Sequence, residues 1–206
     1  MIGTSQLAHR DRARAGDDRE RSDGAIETPR TLYTLGHSTR ELDELIAILT
    51  GAGVTRLVDV RRYPGSRRSP HFARDSLSAS LPEAGIRYEW RPELGGRRKP
   101  RPDTRHTAWR VAAFAAYADH METPEFERAM AEVLEGALHS PTALMCAEAR
   151  PEQCHRRLLA DWLTVHGHRV IHLMTPTRAT PHALPPFARE EDGRVVYDGA
   201  TDARDD

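Results

Sequence analysis

The stretch TALMCAEARPEQCHRRLLADWLTVHGHRVIHL (residues 142–173) decides the fold. It opens on an apolar run, Thr142–Met145, and crosses a polar turn. From Pro151 it enters a segment whose Leu158, Leu159, Trp162 and Val165 recur at helical spacing. Proline suits the first helical turn, which predicts a helix over 151–166. Arg169–Leu173 is a second short apolar run. Strand, helix, strand is a βαβ unit, and such units build parallel sheets covered on both faces.

Working outward, the same alternation recurs. Leu32–Leu35, Arg56–Val60 and Ile86–Trp90 read as strands, making five in all. In 40–50, Leu42, Leu45, Ile46 and Leu49 mark a helix that Gly51 or Gly53 ends, and Ser38 with Glu41 has capping-box spacing. Residues 74–84 form a weaker helical pattern with Pro82 near its end. Residues 108–121 and 124–138 are stronger, with Thr123-Pro124 as N-cap and first helical residue. The expected fold is α/β: a three-layer, mainly parallel five-stranded sheet with helices on both faces.

The 206 residues suit one domain, placed at 31–175. Residues 1–30 carry almost no apolar side chains and read as a disordered tail. Residues 176–206 read as a largely irregular extension in which Val195-Val196-Tyr197 offers a short strand. No secretory h-region and no run of ~20 apolar residues occurs, so a cytoplasmic protein without a membrane partner is expected. Two cysteines make no disulfide framework.

The net charge of −1 conceals an asymmetry. Between Arg61 and Arg110 there are 13 Arg or Lys against 5 acids, about +8, enough to attract a polyanion. Because 29 of the 30 basic residues are Arg, the choice of Arg over Lys is uninformative and only the clustering counts.

Parallel sheets bind ligands outside the carboxyl ends of their strands. After strand one come Gly36, His37, Ser38 and Thr39; after strand two Arg61, Arg62 and Ser66; after strand three Glu93. Strand four leads to Cys146, Glu148, Cys154, His155 and Arg156. Cys154 is expected about four residues into the helix opened by Pro151, where terminal amides would lower its pKa. Cys146 faces it as nucleophile or resolving thiol, or both sulfurs pack as small hydrophobes. A metal reading would recruit His37 and Glu148, but Cys-x7-Cys-His lacks usual zinc spacing. The thiol-phosphatase pattern C-x5-R also fails, since Glu152 stands where it needs Arg.

Glu93, Glu148 and His37 are candidate proton-transfer groups. Arg61, Arg62 and Arg156 are candidate anion ligands, and Ser38 and Thr39 could hold a phosphate at a helix start. Trp90, Trp109 and Tyr63 could stack on a base. Asp59, inside its strand, is read as ordering a neighbouring loop. Gly36-His37-Ser38 lacks the spaced glycines of dinucleotide and P-loop sites, so no cofactor is implied.

GHST, VDVRRYPGS, YEW with PELGG, Trp109-Arg110 and LMCAEARPEQCHRR together resemble the domain-of-unknown-function family numbered 488, over about residues 32–173. The resemblance implies a compact α/β fold and the same residues, and no reaction. Three functions therefore compete. One is an enzyme acting on an anionic, phosphate-bearing substrate, nucleotide or nucleic acid. The second is a non-catalytic nucleic-acid-binding module. The third is a thiol redox protein cycling Cys146 and Cys154. The oligomeric state is open.

Overall fold

The computed structural model describes residues 29–65 and 69–199. The expected N-terminal tail lies almost wholly outside the described residues, as does Ser66. The elements run β1 (Thr31–Gly36), α1 (Leu42–Gly51), β2 (Arg56–Asp59), α2 (Arg74–Ser80), β3 (Arg87–Trp90), α3 (Ala112–Met121) and α4 (Pro124–Ala137). They continue with β4 (Thr142–Cys146), α5 (Arg156–Val165), β5 (Arg169–Thr175), β6 (Arg178–Pro181), β7 (Ala188–Glu191) and β8 (Arg194–Tyr197).

The sheet order is β3-β2-β4-β1-β5-β6, with the first five strands parallel and β6 antiparallel to β5. The three-layer, mainly parallel α/β architecture is as expected, with six strands rather than five. β6 escapes the reading because Arg178–Pro181 is exposed at every position, so no apolar pattern marks it.

Alternation along β4 assigns the two faces. Leu144 and Cys146 pack with Phe126, Met130, Leu158 and Leu159 beneath α4 and α5. Ala143 and Met145 pack with Leu45, Leu49 and Leu77 of α1 and α2. Burial on both faces accounts for the unbroken apolar run TALMC.

Several boundaries shift. Leu42, not Thr39, begins α1; Glu41 is its N-cap without a side-chain hydrogen bond, and Ser38 has φ 50°. The expected capping box does not form because Ser38 belongs to the turn leaving β1. Thr123 does cap α4, accepting from the Phe126 amide at 3.3 Å. Residues 81–84 tighten into a 3-10 turn after α2. The helix expected at 151–166 is interrupted: Pro151–Gln153 is a 3-10 turn, Cys154 is extended (φ −134°, ψ 146°), and α5 starts at Arg156.

The segment after 175 is more ordered than its composition suggests. Asp192 and Gly193 both have positive φ (50° and 75°), a type I′ turn joining β7 to β8. Asp161 of α5 anchors the segment, accepting from the Tyr197 hydroxyl and from His182 Nε2, each at 2.7 Å. Phe187 and Tyr197 stack around Trp109. Among the described residues, no helix is long and apolar enough to cross a membrane.

Candidate thiol site

The neighbours of β4 are β1 and β2, whose chains continue into helices on one face, whereas β4 continues into α5 on the other. Chains leaving adjacent strands in opposite directions open a crevice at the strand ends. Cys146, the last residue of β4, sits at that divergence. Its carbonyl accepts from the His37 amide at 3.0 Å, and Ala147 accepts from Ser38 at 2.8 Å, so the turn after β1 is fastened to the turn after β4. The approach is so close that a Cβ on Gly36 would collide with the Glu148 carbonyl.

The two sulfurs lie 2.7 Å apart. Arg156 Nη1 donates to Cys146 Sγ at 2.9 Å and to the Glu148 carbonyl at 2.7 Å; Nη2 donates to Ala149 at 2.8 Å. Arg156 is 0% exposed and touches no carboxylate among the described residues. A buried cation needs a counter-charge. Among its hydrogen-bond partners in the described residues, Cys146 is the one whose side chain can carry a negative charge. Burial alone would raise the Cys146 pKa, but the Cys154 hydrogen bond and the Arg156 charge outweigh it and hold the thiol below its usual value. Cys154 moves the other way: the hydrogen bond it gives Cys146 and its own burial hold it well above the usual thiol range. Of the two thiols, Cys146 is thus the more readily deprotonated and Cys154 the one that holds its proton.

His155 extends the chain of donors. Its Nε2 donates to the Val60 carbonyl at 3.1 Å, leaving Nδ1 a lone pair 3.5 Å from Cys154 Sγ. Burial, countered by that hydrogen bond and reinforced by Arg156, lowers its pKa to about 4, so the ring is neutral. The Cys154 proton thus faces two acceptors, the Cys146 sulfur and the His155 nitrogen.

His37 and Arg61 form the opposite wall. Arg61 Nε and Nη2 donate to Asp59 at 2.8 and 2.6 Å, Nη2 also to Phe72 at 2.8 Å, and Nη1 to His37 Nε2 at 3.0 Å. Since guanidinium only donates, His37 Nε2 accepts and Nδ1 donates to the Ser38 carbonyl at 3.0 Å. Burial first, then the Arg61 charge, push His37 to about 4. Arg61, expected as an anion ligand, lines the same cleft as Cys146, but it is 7% exposed and four of its five N–H groups are engaged within the protein. Asp59, read from the sequence as ordering a neighbouring loop, instead holds the Arg61 guanidinium.

A cleft of about 230 Å³ opens onto these groups, lined by Cys146, Cys154, His155 and Glu148, with Arg62 and Arg97 at its basic side. Tyr63, 64% exposed, lies between those two guanidiniums at 6.0 and 5.9 Å. Arg97, which follows the PELGG stretch, is therefore part of the cleft wall. Glu148 lines the cleft with an exposed side chain.

The remaining candidates fall elsewhere. Arg156 supports the thiolate from below and does not line the cleft, because its guanidinium is needed to bind the 148–149 carbonyls. Cys154 is not inside a helix; its extended backbone turns its sulfur onto Cys146. Glu93 lines an adjoining cleft of about 390 Å³ beyond Arg62 and Tyr63. Trp109 packs against Phe114, Phe187 and Tyr197. Thr39 is exposed and Ser38 contributes backbone only. Among the described residues, no three His, Cys, Asp or Glu are grouped to hold a metal ion.

Of the 13 basic residues in 61–110, Arg67 and Arg68 are outside the described residues. Of the other 11, Arg61, Arg87, Arg91, Arg98, Arg101 and Arg105 pair with carboxylates; four of these draw on acids outside the segment, which offsets about half of the local +8.

The chain belongs to the family described as "Domain of unknown function DUF488", whose model matches residues 41–163. Cys146, Cys154, His155 and Arg156 lie inside the match; His37 precedes it and the Asp161-anchored C-terminal segment follows it. Neither the curated proteins nor the solved structures yield a match.

Proposed function

We propose that the protein is a thiol-dependent enzyme acting on a small anionic, phosphate-bearing substrate, with Cys146 as nucleophile. The observation that carries the reading is the buried Arg156 guanidinium whose counter-charge is the Cys146 sulfur at 2.9 Å. A buried structural cysteine has no need of a cation; a nucleophile does. The Cys146 thiolate attacks an electrophilic carbon or phosphorus and forms the new S–C or S–P bond. The departing atom takes the Cys154 proton. Water then cleaves the covalent intermediate, its proton returning through His155 Nδ1 to Cys154 and the thiolate re-forming. Arg62 and Arg97 receive the substrate's anion, both without a carboxylate partner among the described residues.

Iodoacetamide labelling read by peptide mass spectrometry tests the nucleophile, and p-nitrophenyl phosphate and acetate test turnover. Cys146 should alkylate well below the usual thiol pH range while Cys154 does not. Either ester should give a burst that Cys146→Ser abolishes. Ordinary reactivity at Cys146 together with no burst rejects the proposal.

The 2.7 Å separation of the sulfurs also favours a second reading, a dithiol that oxidises to a disulfide. Diamide treatment followed by intact mass separates the two. Reversible loss of two hydrogens without substrate turnover supports redox cycling, whereas ester turnover that persists under reducing conditions and is lost in Cys146→Ser favours nucleophilic catalysis. A bare nucleic-acid module draws less support, because so much of the basic segment is already ion-paired.

A further inference from the structure

The cleft on the far side of Arg62 and Tyr63 has the makings of a second subsite. It is about 390 Å³ and is lined by Tyr63, Trp90, Pro92, Glu93, Arg62 and Arg98 among others. The Glu93 backbone carbonyl is held by His120 Nε2 at 2.7 Å and by Arg98. Its carboxyl oxygen Oε2 is different: buried, yet without any hydrogen-bond partner. Buried acceptors are almost always satisfied, so an unpaired one on a residue that lines a cleft points to a donor that arrives with a ligand. Arg98 is turned onto the carbonyls of Gly95 and Glu93 and toward Glu125 at 3.7 Å. Glu125 therefore does not neutralise Arg62.

Arg62 and Tyr63 belong to both clefts. Tyr63 bares an aromatic ring, and Trp90 is fixed by its indole N–H to the Arg61 carbonyl at 2.9 Å. Such surfaces accept flat rings, a guanidinium accepts an anion, and an unpartnered carboxylate accepts N–H donors. We infer that this second cleft binds a nucleobase through Glu93 and the Tyr63–Trp90 aromatics, with the ligand's phosphate on Arg62. Guanine suits Glu93 best, since its ring N–H and amino group lie side by side and can meet both carboxylate oxygens. Only the direction of the phosphate, toward Cys146, rests on the proposed thiol chemistry. Occupancy of the cleft stands without it.

Other clusters carry less. The chain Thr34–His172–His182–Asp161 is buried, but each imidazole nitrogen is already hydrogen-bonded, leaving none for a ligand.

The test is calorimetric titration of the full chain with guanosine, adenosine and uridine monophosphates, and with a guanine-ended trinucleotide. Guanosine monophosphate should bind about tenfold more tightly than the other two mononucleotides. Glu93→Gln should weaken it about tenfold with an unchanged melting temperature, and Tyr63→Ala should weaken all bases by a similar factor. Tighter binding of the trinucleotide identifies the end of a strand as the source of the base; equal binding identifies the free nucleotide. Absence of binding by every probe, or binding indifferent to Glu93→Gln and Tyr63→Ala, overturns the inference. A chain that binds guanosine monophosphate but has an unreactive Cys146 retains the nucleobase site and loses the thiol mechanism; the opposite result does the reverse.

Discussion

Two arginines are buried at opposite ends of the sheet, Arg56 at 1% exposure and Arg156 at 0%, and they are neutralised differently. Arg56 opens β2 and grips Glu89 of β3 with two hydrogen bonds, 3.1 and 2.7 Å, while Nη1 donates to the Val133 carbonyl of α4 at 2.9 Å. Its partner is a carboxylate, charged at every ordinary pH. Arg156, beyond the far end of β4, has backbone carbonyls and a cysteine sulfur. At the amino end the charge is cancelled by a group that only binds. At the carboxyl end it is cancelled by a group that can react. Burying a cation is costly in either place, and the second arrangement leaves part of that cost to a titratable thiol.

Glycines next to both arginines offer the strongest way to break this contrast. A Cβ at Gly36 meets the Glu148 backbone and Arg156 Nη1, whereas one at Gly136 meets only the Arg56 guanidinium. Gly36→Ala should lose about 3 kcal/mol or more, and Gly136→Ala less, because a side chain yields more readily than backbone. Urea melts giving the reverse order would mean that the thiol end is the looser of the two. Next in size is Glu89→Ala, expected to cost about 2–3 kcal/mol by stranding Arg56. Alkylation of Cys146 should be untouched; a changed rate would show that the two ends are coupled.

Arg156→Met should leave far-ultraviolet dichroism intact while slowing Cys146 alkylation near neutral pH by roughly tenfold, as the thiol returns toward its usual pKa. An unaltered rate would remove Arg156 as the counter-ion. The smallest effect lies in the pH dependence of stability. Cys146 is depressed in the folded chain, so its contribution is complete above the unfolded thiol value of about 8.5 and is lost as pH falls through the folded value. Glu89 is also depressed, chiefly by its hydrogen bond from Arg56, and its contribution is lost only below about 4.5. Between those limits the Arg56 pair is silent. Stability should therefore climb with pH between about 7 and 8.5, above the range in which the buried neutral histidines such as His37 and His155 contribute a rise of their own, by at most about 1.4 kcal/mol per unit, and in that window the slope should vanish in Cys146→Ser. A slope that persists there belongs to another group.

The strand ends were legible because a parallel sheet concentrates polar residues where its apolar runs stop, and TALMC followed by AEARPEQCHRR shows that border plainly. Cys146, Cys154, His155, His37 and Arg61 do meet. Their roles were harder to see. Pro151 announces a helix equally well whether three residues follow or fifteen, so the extended backbone at Cys154 left no mark in the pattern. Nothing in VDVRR shows that Asp59 would turn the neighbouring arginine inward. Glu93 follows its strand as required, but the 3-10 turn at Pro92–Leu94 carries it past Tyr63 to the adjoining cleft. For the last hairpin a signal existed, Asp192-Gly193 between short apolar and polar runs, the dipeptide that a type I′ turn prefers.

The position of β1 has a consequence in time. Among the described residues it pairs with β4 and β5 alone, so β1 cannot join the sheet until Thr142–Cys146 has been made. At the ~5–20 residues per second of synthesis, the 111 positions from Thr31 to Thr142 are a wait of roughly 5 to 20 s. β2 and β3 can pair meanwhile. His37 spends that interval with no crevice to occupy. Cys146 and Arg156 emerge ten residues apart, and the candidate site is assembled by the same late docking that closes the sheet.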